Sequence, residues 1–431
     1  MVQGFRTRSG GPAAPSSTCS CRPAAAPARA AALGLTALLL SLSACSVVGS
    51  GAAAGSTPGS PSPSGSSGSR RADPAGPATP TRASAGPSCA DLVGRLSLPA
   101  RVGQLLMVGV GSTSLSDVEA AMLGRTHAGS VLLLGDSQAG LSRTQQVVAD
   151  VRAAADRPER VGVLVAAEQE GGRVQRLSGS GFTDMPSAQS QAELSDDALT
   201  ENARSWAEHL DDAGINVNLA PVADVVPTSL RGVNQPVGKP RRSYGSSPAT
   251  VAAKVAAFTT GMDDAGVATA VRHFPGLGQA SGDPDRERSV VDRVTTRRDP
   301  ALRGFRAAVD AGVDMVMVSS AVYLRIDPRR QAVFSPTVLR DMIRGDLGFD
   351  GVIVSGDLVA PAVSNYPPGT RAVGFVRSGG DLVVVGDPAQ AQTMAQALVG
   401  RAESDPAFAR RVDESAGRVL ALKARRGLAT C

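Results

Sequence analysis

The stretch GVIVSGD, residues 351–357, has the composition of a buried strand and is one of eight such runs in the chain. A near-continuous run of aliphatic residues that ends in small polar ones is typical of a strand buried on both faces. Seven further runs of this kind occur along the chain, at residues 104–110, 129–135, 161–168, 215–225, 267–274, 313–320 and 381–387. Eight such strands predict an α/β fold, a single catalytic-type (β/α)8 TIM-type barrel domain over residues 88–431.

The segments between these runs carry the signals of helix ends. Ser247-Pro248 and Asp299-Pro300 each place a capping side chain before a proline at the first helical position. Glycines that suit helix C-caps stand just before five of the strands, at positions 129, 214, 266, 312 and 380. A doubly wound open sheet is the alternative fold, but no GxGxxG motif follows the first strand.

The first 87 residues differ in character from the rest of the chain. Basic residues precede an apolar run at about residues 30–44, which is too short to span a bilayer and has the layout of a secretory signal. The run ends in LSAC, which resembles a bacterial lipobox, so we predict a signal peptide over 1–44 and lipidation of Cys45. An ordinary signal peptide with a chance cysteine is the alternative. Residues 45–87 hold the anchor and a flexible linker rich in Ser, Gly and Pro.

Export has two further consequences. The protein is expected to be anchored by its lipid to the outer face of the bacterial cytoplasmic membrane. Cys89 and Cys431 are the cysteines that remain outside the leader and the anchor. In an oxidising compartment they are predicted to form a disulfide, with two free thiols as the alternative.

The charge is unevenly distributed along the chain. The formal net charge is +5, but residues 1–87 hold seven Arg against one Asp, which leaves 37 basic and 38 acidic residues in the remainder. No Lys/Arg cluster is visible in the sequence of the folded part, so a nucleic-acid surface is not predicted. Neither a metal-ligand cluster nor a cofactor motif is visible, and a monomer is expected.

Polar residues gather where the apolar strands end. Because (β/α)8 barrels carry their functional groups at the carboxyl ends of the strands, these residues predict a ligand site. Asp224 and Asp387 are equally compatible with capping the loops that follow them. The strand ends read EQEGG (168–172), PVAD (221–224), RHFPG (272–276), SS (319–320), SGD (355–357) and GD (386–387).

These strand ends resemble glycoside hydrolase family 3, in the branch of bacterial β-N-acetylhexosaminidases that act on peptidoglycan fragments. The stretches that carry the resemblance are EQEGGRVQRL (168–177), NVNLAPVADV (216–225), RSYG (242–245), RHFPGLG (272–278) and LGFDGVIVSGDL (347–358). The resemblance implies that Glu168, Arg176, Arg242, Arg272 and His273 bind the sugar. Such side chains fix hydroxyl and acetamido groups by directed hydrogen bonds.

The resemblance also implies which positions would be catalytic, and here the chain departs from the family. The nucleophilic Asp of the seventh-strand motif falls on Gly356, and the next Asp of the motif falls on Asp357. The acid/base loop keeps its Asp as Asp283, but its His is replaced by Asp285. Asp283, Asp285 and Asp357 are therefore only candidate catalytic residues. Side chains alternate along a strand, so Asp357 is expected to face away from position 356 unless Gly356 permits a bulge.

The leading hypothesis is a membrane-tethered barrel of this family that binds an amino-sugar or peptidoglycan glycan, with hydrolysis weak or lost. The main alternative is an active β-N-acetylhexosaminidase with a rearranged site, including one in which the acetamido group of the sugar supplies the nucleophile. A third hypothesis is a scaffold lipoprotein with neither activity, in which the cleft is closed or filled. The family chemistry implies no cofactor and no metal.

Overall fold

A computed structural model describes residues 89–431 of the chain. Within these residues the chain forms thirteen strands: β1 Leu106–Gly111, β2 Ser130–Leu134, β3 Leu164–Ala167, β4 Gln169–Gly171, β5 Val174–Gln175, β6 Val217–Asn218, β7 Ala268–Phe274, β8 Val291–Thr296, β9 Met315–Val318, β10 Val322–Arg325, β11 Asp327–Gln331, β12 Val352–Asp357 and β13 Leu382–Val385.

Eight of these strands close into a barrel. Around the barrel they follow the chain order β1, β2, β3, β6, β7, β9, β12 and β13, all neighbours are parallel, and β13 pairs with β1. Each of the eight apolar runs contains one barrel strand, so the predicted (β/α)8 fold is confirmed. Strands β8, β10 and β11 form a small separate sheet, and β4 pairs with β5.

Helices surround the barrel. In chain order they are α1 Ala90–Arg95, α2 Leu98–Gln104, α3 Asp117–Thr126, α4 Gly140–Ala154, α5 Ala188–Gln191, α6 Asp196–Asp212, α7 Pro248–Asp264, α8 Arg303–Asp310, α9 Pro368–Ser378, α10 Pro388–Ser404 and α11 Pro406–Arg425. A π-helix, Thr337–Asp346, packs before β12, and short 3-10 turns lie at Pro158–Arg160, Thr228–Leu230, Pro300–Leu302, Ala332–Phe334 and Pro361–Val363.

The helix ends follow the capping chemistry written in the sequence. Ser247 Oγ accepts a hydrogen bond from Thr250 N at the start of α7. Gly214 and Gly266 turn the chain from a helix into the next strand with φ of 78° and 80°, which only glycine adopts without strain. These local stops allow each strand to begin at the same end of the barrel.

The barrel interior is a packed apolar core rather than a pore. Inward-facing side chains such as Met107, Leu164 and Met315 are fully buried, and Val419 and Leu422 of α11 pack against the same cluster. Helix α11 therefore contributes side chains to the interior cluster of the barrel. Because the interior is filled, a ligand site can lie only above the packed layers, at a barrel end.

The two ends of the described chain are joined. Cys89 and Cys431 form a disulfide with their Cα atoms 4.7 Å apart and 342 positions apart in sequence. In the loop-entropy account such a long closed loop stabilises the folded state by about 5 kcal/mol at most. The predicted signal peptide, the linker and the lipidated Cys45 lie outside the described residues.

None of the helices within residues 89–431 combines the length and the apolar composition that a membrane span requires.

Candidate functional site

A cavity of about 350 Å³ opens at the carboxyl ends of the barrel strands. Its size is within the range of small-molecule sites. Apolar side chains of the strands form one part of its wall, and charged groups form the other. The lining residues are Leu132, Leu134, Glu168, Leu219, Arg242, Arg272, His273, Asp285, Met317, Gly356, Asp357, Val359, Ala360, Pro361, Val384 and Gly386.

Glu170 is the centre of the charged wall, although it lies behind the lining. It is 3% exposed and accepts bidentate hydrogen bonds from Arg242, with Nε–Oε2 2.8 Å and Nη2–Oε1 2.7 Å. Arg272 donates to the same carboxylate through Nε at 2.7 Å. Burial raises the pKa of Glu170, but the charges of Arg242 and Arg272 outweigh it and lower the pKa to about 2. The carboxylate is therefore ionised and holds both guanidinium groups in place.

Glu168 lies beside this centre and faces the cavity. Arg272 Nη1 donates to Glu168 Oε1 at 2.6 Å, and Arg176 donates to Oε2 at 3.1 Å. Arg176 also pairs with Asp136 at 2.8 Å. Burial raises the pKa of Glu168, but Arg272 and Arg176 lower it to about 2. An ionised carboxylate held by two guanidinium groups is suited to accept hydrogen bonds from ligand hydroxyls.

His273 is held in one orientation by two neighbours. Its Nδ1 lies 2.7 Å from Asp224 Oδ2, and its Nε2 lies 3.2 Å from Arg242 Nη2. Because a guanidinium group only donates, Nε2 accepts and Nδ1 carries the hydrogen that is donated to Asp224. Asp224 is fully buried and also accepts from Leu277 N at 2.7 Å. Asp224 is therefore a positioning residue for His273 as well as a loop cap.

A β-bulge places Asp357 on the cavity wall. Val354 pairs with Leu382, but Asp357 pairs with Val384, so β12 holds one residue more than β13 over this step. The side chains of β12 therefore do not alternate regularly up to Asp357, as the sequence analysis allowed for the case that Gly356 permits a bulge. Asp357 Oδ1 accepts from Val359 N and from Gly386 N, each at 2.9 Å.

The carboxylate of Asp357 is turned toward the β13 side of the strand end, because Gly386 follows β13 directly. Burial raises the pKa of Asp357, and the two backbone hydrogen bonds only partly offset this effect.

Gly356 occupies the inward-facing position. Val352 and Val354 point into the barrel core, and the pairing of β12 with β9 is regular from Val352 to Ser355, so residue 356 continues the inward-facing set and lines the cavity. A Cβ added there would meet only Val318 O at 3.4 Å and Ser320 Oγ at 3.6 Å, which are ordinary contacts on the β9 side. Position 356 therefore faces open space on one side of β12, and the carboxylate of Asp357 lies on the other side.

The loop after β7 brings one of its two candidate acids to the cavity. Asp285 lines the cavity and remains exposed at its mouth. Partial desolvation, followed by the charge of Asp283, raises the pKa of Asp285. Asp283 is not a lining residue: its Oδ1 accepts from Asp285 N at 3.1 Å and thereby shapes the loop.

The predicted residues divide into two groups. The structure brings Glu168, Arg242, Arg272 and His273 together at the cavity, whereas Arg176 stands behind Glu168. Sequence reasoning assigned no role to Glu170. Its spacing of two from Glu168, which puts both side chains on one face of an extended segment, could have indicated it. Among residues 89–431, no group of three or more His, Cys, Asp or Glu side chains is arranged to hold a metal ion.

A closed (β/α)8 barrel with a charged, partly apolar cavity at the carboxyl ends of its strands defines a TIM-type barrel with a small-molecule site. The chain belongs to glycosyl hydrolase family 3, because residues 97–422 match the N terminal domain of that family.

Similar proteins point to one branch of the family. A β-hexosaminidase of Stenotrophomonas maltophilia is 33% identical over 307 residues, which cover 69% of this chain and 88% of that protein. The crystal structure of a β-N-acetylhexosaminidase from Beutenbergia cavernae is 43% identical with a TM-score of 0.75, and the match covers 76% of this chain and 99% of that one. A family 3 β-N-acetylglucosaminidase from a Paenibacillus species is 31% identical with a TM-score of 0.70, over 77% of this chain and 63% of that one.

Proposed function

We propose that this protein binds a terminal N-acetyl amino sugar of a glycan, such as a peptidoglycan fragment, in the cavity at the barrel end, and that its hydrolytic activity is weak or lost. The single observation that carries the proposal is the contrast between the two parts of the cavity. The charged wall of Glu168, Arg242, Arg272 and His273 is complete and mutually hydrogen-bonded. Position 356, where the family resemblance places the attacking carboxylate, has no side chain.

The charged wall supports sugar binding because its groups are already oriented. Arg272 is 2% exposed, and Glu168 and His273 are each held by charged neighbours. Preorganised donors and acceptors lose little conformational entropy when a ligand replaces water. The apolar part of the wall, with Leu219 and Met317, is suited to contact the apolar face of a sugar ring.

Weak or lost hydrolysis follows from the position and state of the remaining acids. A retaining glycosidase needs an ionised carboxylate below the anomeric carbon and a second group that protonates the leaving oxygen. The raised pKa of Asp285 is suited to the second role. Asp357 is poorly suited to the first role, because two backbone amides hold one of its oxygens and its carboxylate is turned toward Gly386, away from the space that position 356 faces.

A second candidate function is an active β-N-acetylhexosaminidase in which Asp357 attacks the sugar and Asp285 protonates the leaving group. The bulge in β12 favours this candidate, because it puts Asp357 on the cavity wall. A chromogenic N-acetyl-β-glucosaminide separates the two functions. Turnover by the wild-type protein that Asp357→Asn abolishes would support the second candidate and remove the first.

Calorimetric titration with N-acetylglucosamine and with muropeptides tests binding. We expect His273→Ala to weaken the affinity by at least about tenfold, because it removes one acceptor of Arg242 and one donor to the buried Asp224, and each hydrogen bond to a charged group contributes about 1.5–3 kcal/mol. His209→Ala is the matched control, because His209 lies on α6, outside the cavity. The absence of any binding to the wild-type protein, or equal losses in both variants, would contradict the proposal.

We also propose that the domain is a monomer exported and tethered to the outer face of the cytoplasmic membrane by a lipid on Cys45. The support is the order of basic segment, apolar run, LSAC and linker in residues 1–87. Cells fed with a labelled fatty acid are expected to label the wild-type protein and not Cys45→Ser. Equal labelling of the two proteins would remove the anchor.

A further inference from the structure

A second cavity, of about 550 Å³, lies at the opposite end of the barrel from the sugar cavity. Asp381, directly before β13, is at its base, and Arg344 reaches the carbonyl groups of Phe349 and Gly351, which precede β12. The cavity is bounded by the π-helix, the end of α9 and the first turns of α11. We name it the arginine cleft, because six arginines line it: Arg340, Arg344, Arg377, Arg410, Arg411 and Arg418.

Positive charge is in excess in the arginine cleft. Its lining contains two carboxylates, Asp405 and Glu414, against six guanidinium groups, and the buried Asp381 behind the lining pairs with three of these groups. Even if the charge of Asp350, which also reaches Arg344, is counted, the balance remains positive. The described part of the chain is close to neutral overall, so this excess is local. The arginines come from segments about 80 residues apart in sequence, and only the fold brings them together.

Three of the six arginines share one buried carboxylate. Asp381 is fully buried and accepts from Arg411 at 2.5 Å, from Arg418 at 3.3 Å and from Arg344. Glu414 also pairs with Arg411 at 3.1 Å, so two carboxylates face three guanidinium groups here. Burial, together with the nearby charges of Arg418 and Arg411, lowers the pKa of Arg344 to about 10, even though Asp381 acts in the opposite direction. The base of the cleft therefore remains electropositive.

The other arginines leave donors at the cleft rim. Arg377 is 53% exposed and lies 3.8 Å from Asp405, which is a weak ion pair. Arg410 is exposed on α11, and Arg340 uses its guanidinium group to reach the carbonyl of Ser378 at 3.2 Å. Nearly all basic residues of this chain are Arg, so their identity alone carries no weight. Their convergence on one cleft, with unshared donors at its rim, is the observation that indicates a binding site.

We propose that the arginine cleft binds a phosphate-bearing anion. A dianion or larger polyanion matches the excess of guanidinium groups, and phosphate oxygens accept bidentate hydrogen bonds from such groups. The volume of the cleft leaves room for a group larger than a single phosphate. Two sources supply this chemistry, a soluble phosphate compound and the headgroup of an anionic phospholipid.

Calorimetric titrations of the purified protein with inorganic pyrophosphate and with soluble dihexanoyl phosphatidylglycerol test the site, and dihexanoyl phosphatidylcholine is the zwitterionic control. We expect pyrophosphate to bind and to raise the melting temperature. Arg377→Glu/Arg410→Glu is expected to weaken binding by at least about tenfold. The matched control is Arg125→Glu/Arg293→Glu, which makes the same change of net charge at exposed positions outside the cleft and is expected to change affinity by less than about twofold.

Each outcome decides the proposal. If pyrophosphate binds, phosphatidylglycerol does not, and Arg377→Glu/Arg410→Glu weakens the binding, the ligand is a soluble phosphate compound. If phosphatidylglycerol also binds and the same variant weakens its binding equally, the ligand is a lipid headgroup. The single variant Arg410→Glu, at an exposed helix position, gives the same test without two simultaneous changes. No heat and no shift in melting temperature at millimolar pyrophosphate, or equal losses in the matched control, would overturn the site.

Discussion

Replacing Gly356 by Asp is expected to raise the turnover of a chromogenic N-acetyl-β-glucosaminide by at least about 100-fold over the wild-type protein. The new side chain starts from the inward-facing position of β12, where an added Cβ meets only ordinary contacts with Val318 O and Ser320 Oγ. It would supply an attacking carboxylate on the cavity floor, and Asp285, whose pKa is raised, would protonate the leaving oxygen.

Gly356→Asn is the matched control, because it has almost the same shape and cannot act as a carboxylate nucleophile. It is expected to leave turnover at the wild-type level. Circular dichroism and melting temperature verify that both variants are folded. If the wild-type protein already hydrolysed the substrate efficiently and Gly356→Asp gave no increase, the missing carboxylate at position 356 would not be what limits hydrolysis. If Asp357→Asn also abolished this wild-type turnover, Asp357 would be the attacking carboxylate.

Arg272→Met is expected to lower the free energy of unfolding by about 3–5 kcal/mol and to abolish sugar binding. Arg272 is 2% exposed and pairs with both Glu168 and Glu170. Met keeps much of the volume but leaves two carboxylates with less neutralisation. Denaturant unfolding measures the loss. The double variant Arg272→Met/Glu168→Gln is expected to recover part of it, because it removes one of the two carboxylates that lose Arg272, while Arg176 keeps Asp136 as a partner.

Arg204→Ala is the matched control for this loss. Arg204 pairs with Glu201 and Glu208 along the exposed face of α6. Exposed pairs of this kind contribute about 1 kcal/mol or less. A loss of stability in Arg272→Met that is no larger than in Arg204→Ala would contradict the importance of the buried network.

The same network makes stability depend on pH in a defined window. The pKa values of Glu168 and Glu170 are lowered from 4.5 to about 2 in the folded protein. Because the unfolded chain binds protons on these groups at higher pH than the folded chain does, their contribution is complete above about pH 4.5 and is lost as the pH falls toward about 2. Unfolding free energies measured across this window are expected to fall less steeply for Arg272→Met/Glu168→Gln than for the wild type, because Glu168 no longer titrates and Glu170 has lost the charge of Arg272.

The barrel was predictable because its signals are local. A strand covered on both faces needs aliphatic residues at nearly every position, and the caps at residues such as Ser247 and Gly266 mark where helices begin and end. The polar strand ends also predicted most of the charged cavity wall, since parallel strands in a barrel end on the same side. The glycine at position 356 could be recognised from the motif around it.

The order of the elements and the end of the barrel that carries the site therefore follow from local sequence patterns. The position of Asp357 on the cavity wall does not, because the bulge in β12 depends on its pairing with β13. The tertiary structure also decided that Glu170 holds two arginines, and that arginines distant in the chain meet in one cleft. Hydrogen bonds and charge clusters of this kind join residues far apart in sequence, so no local pattern encodes them.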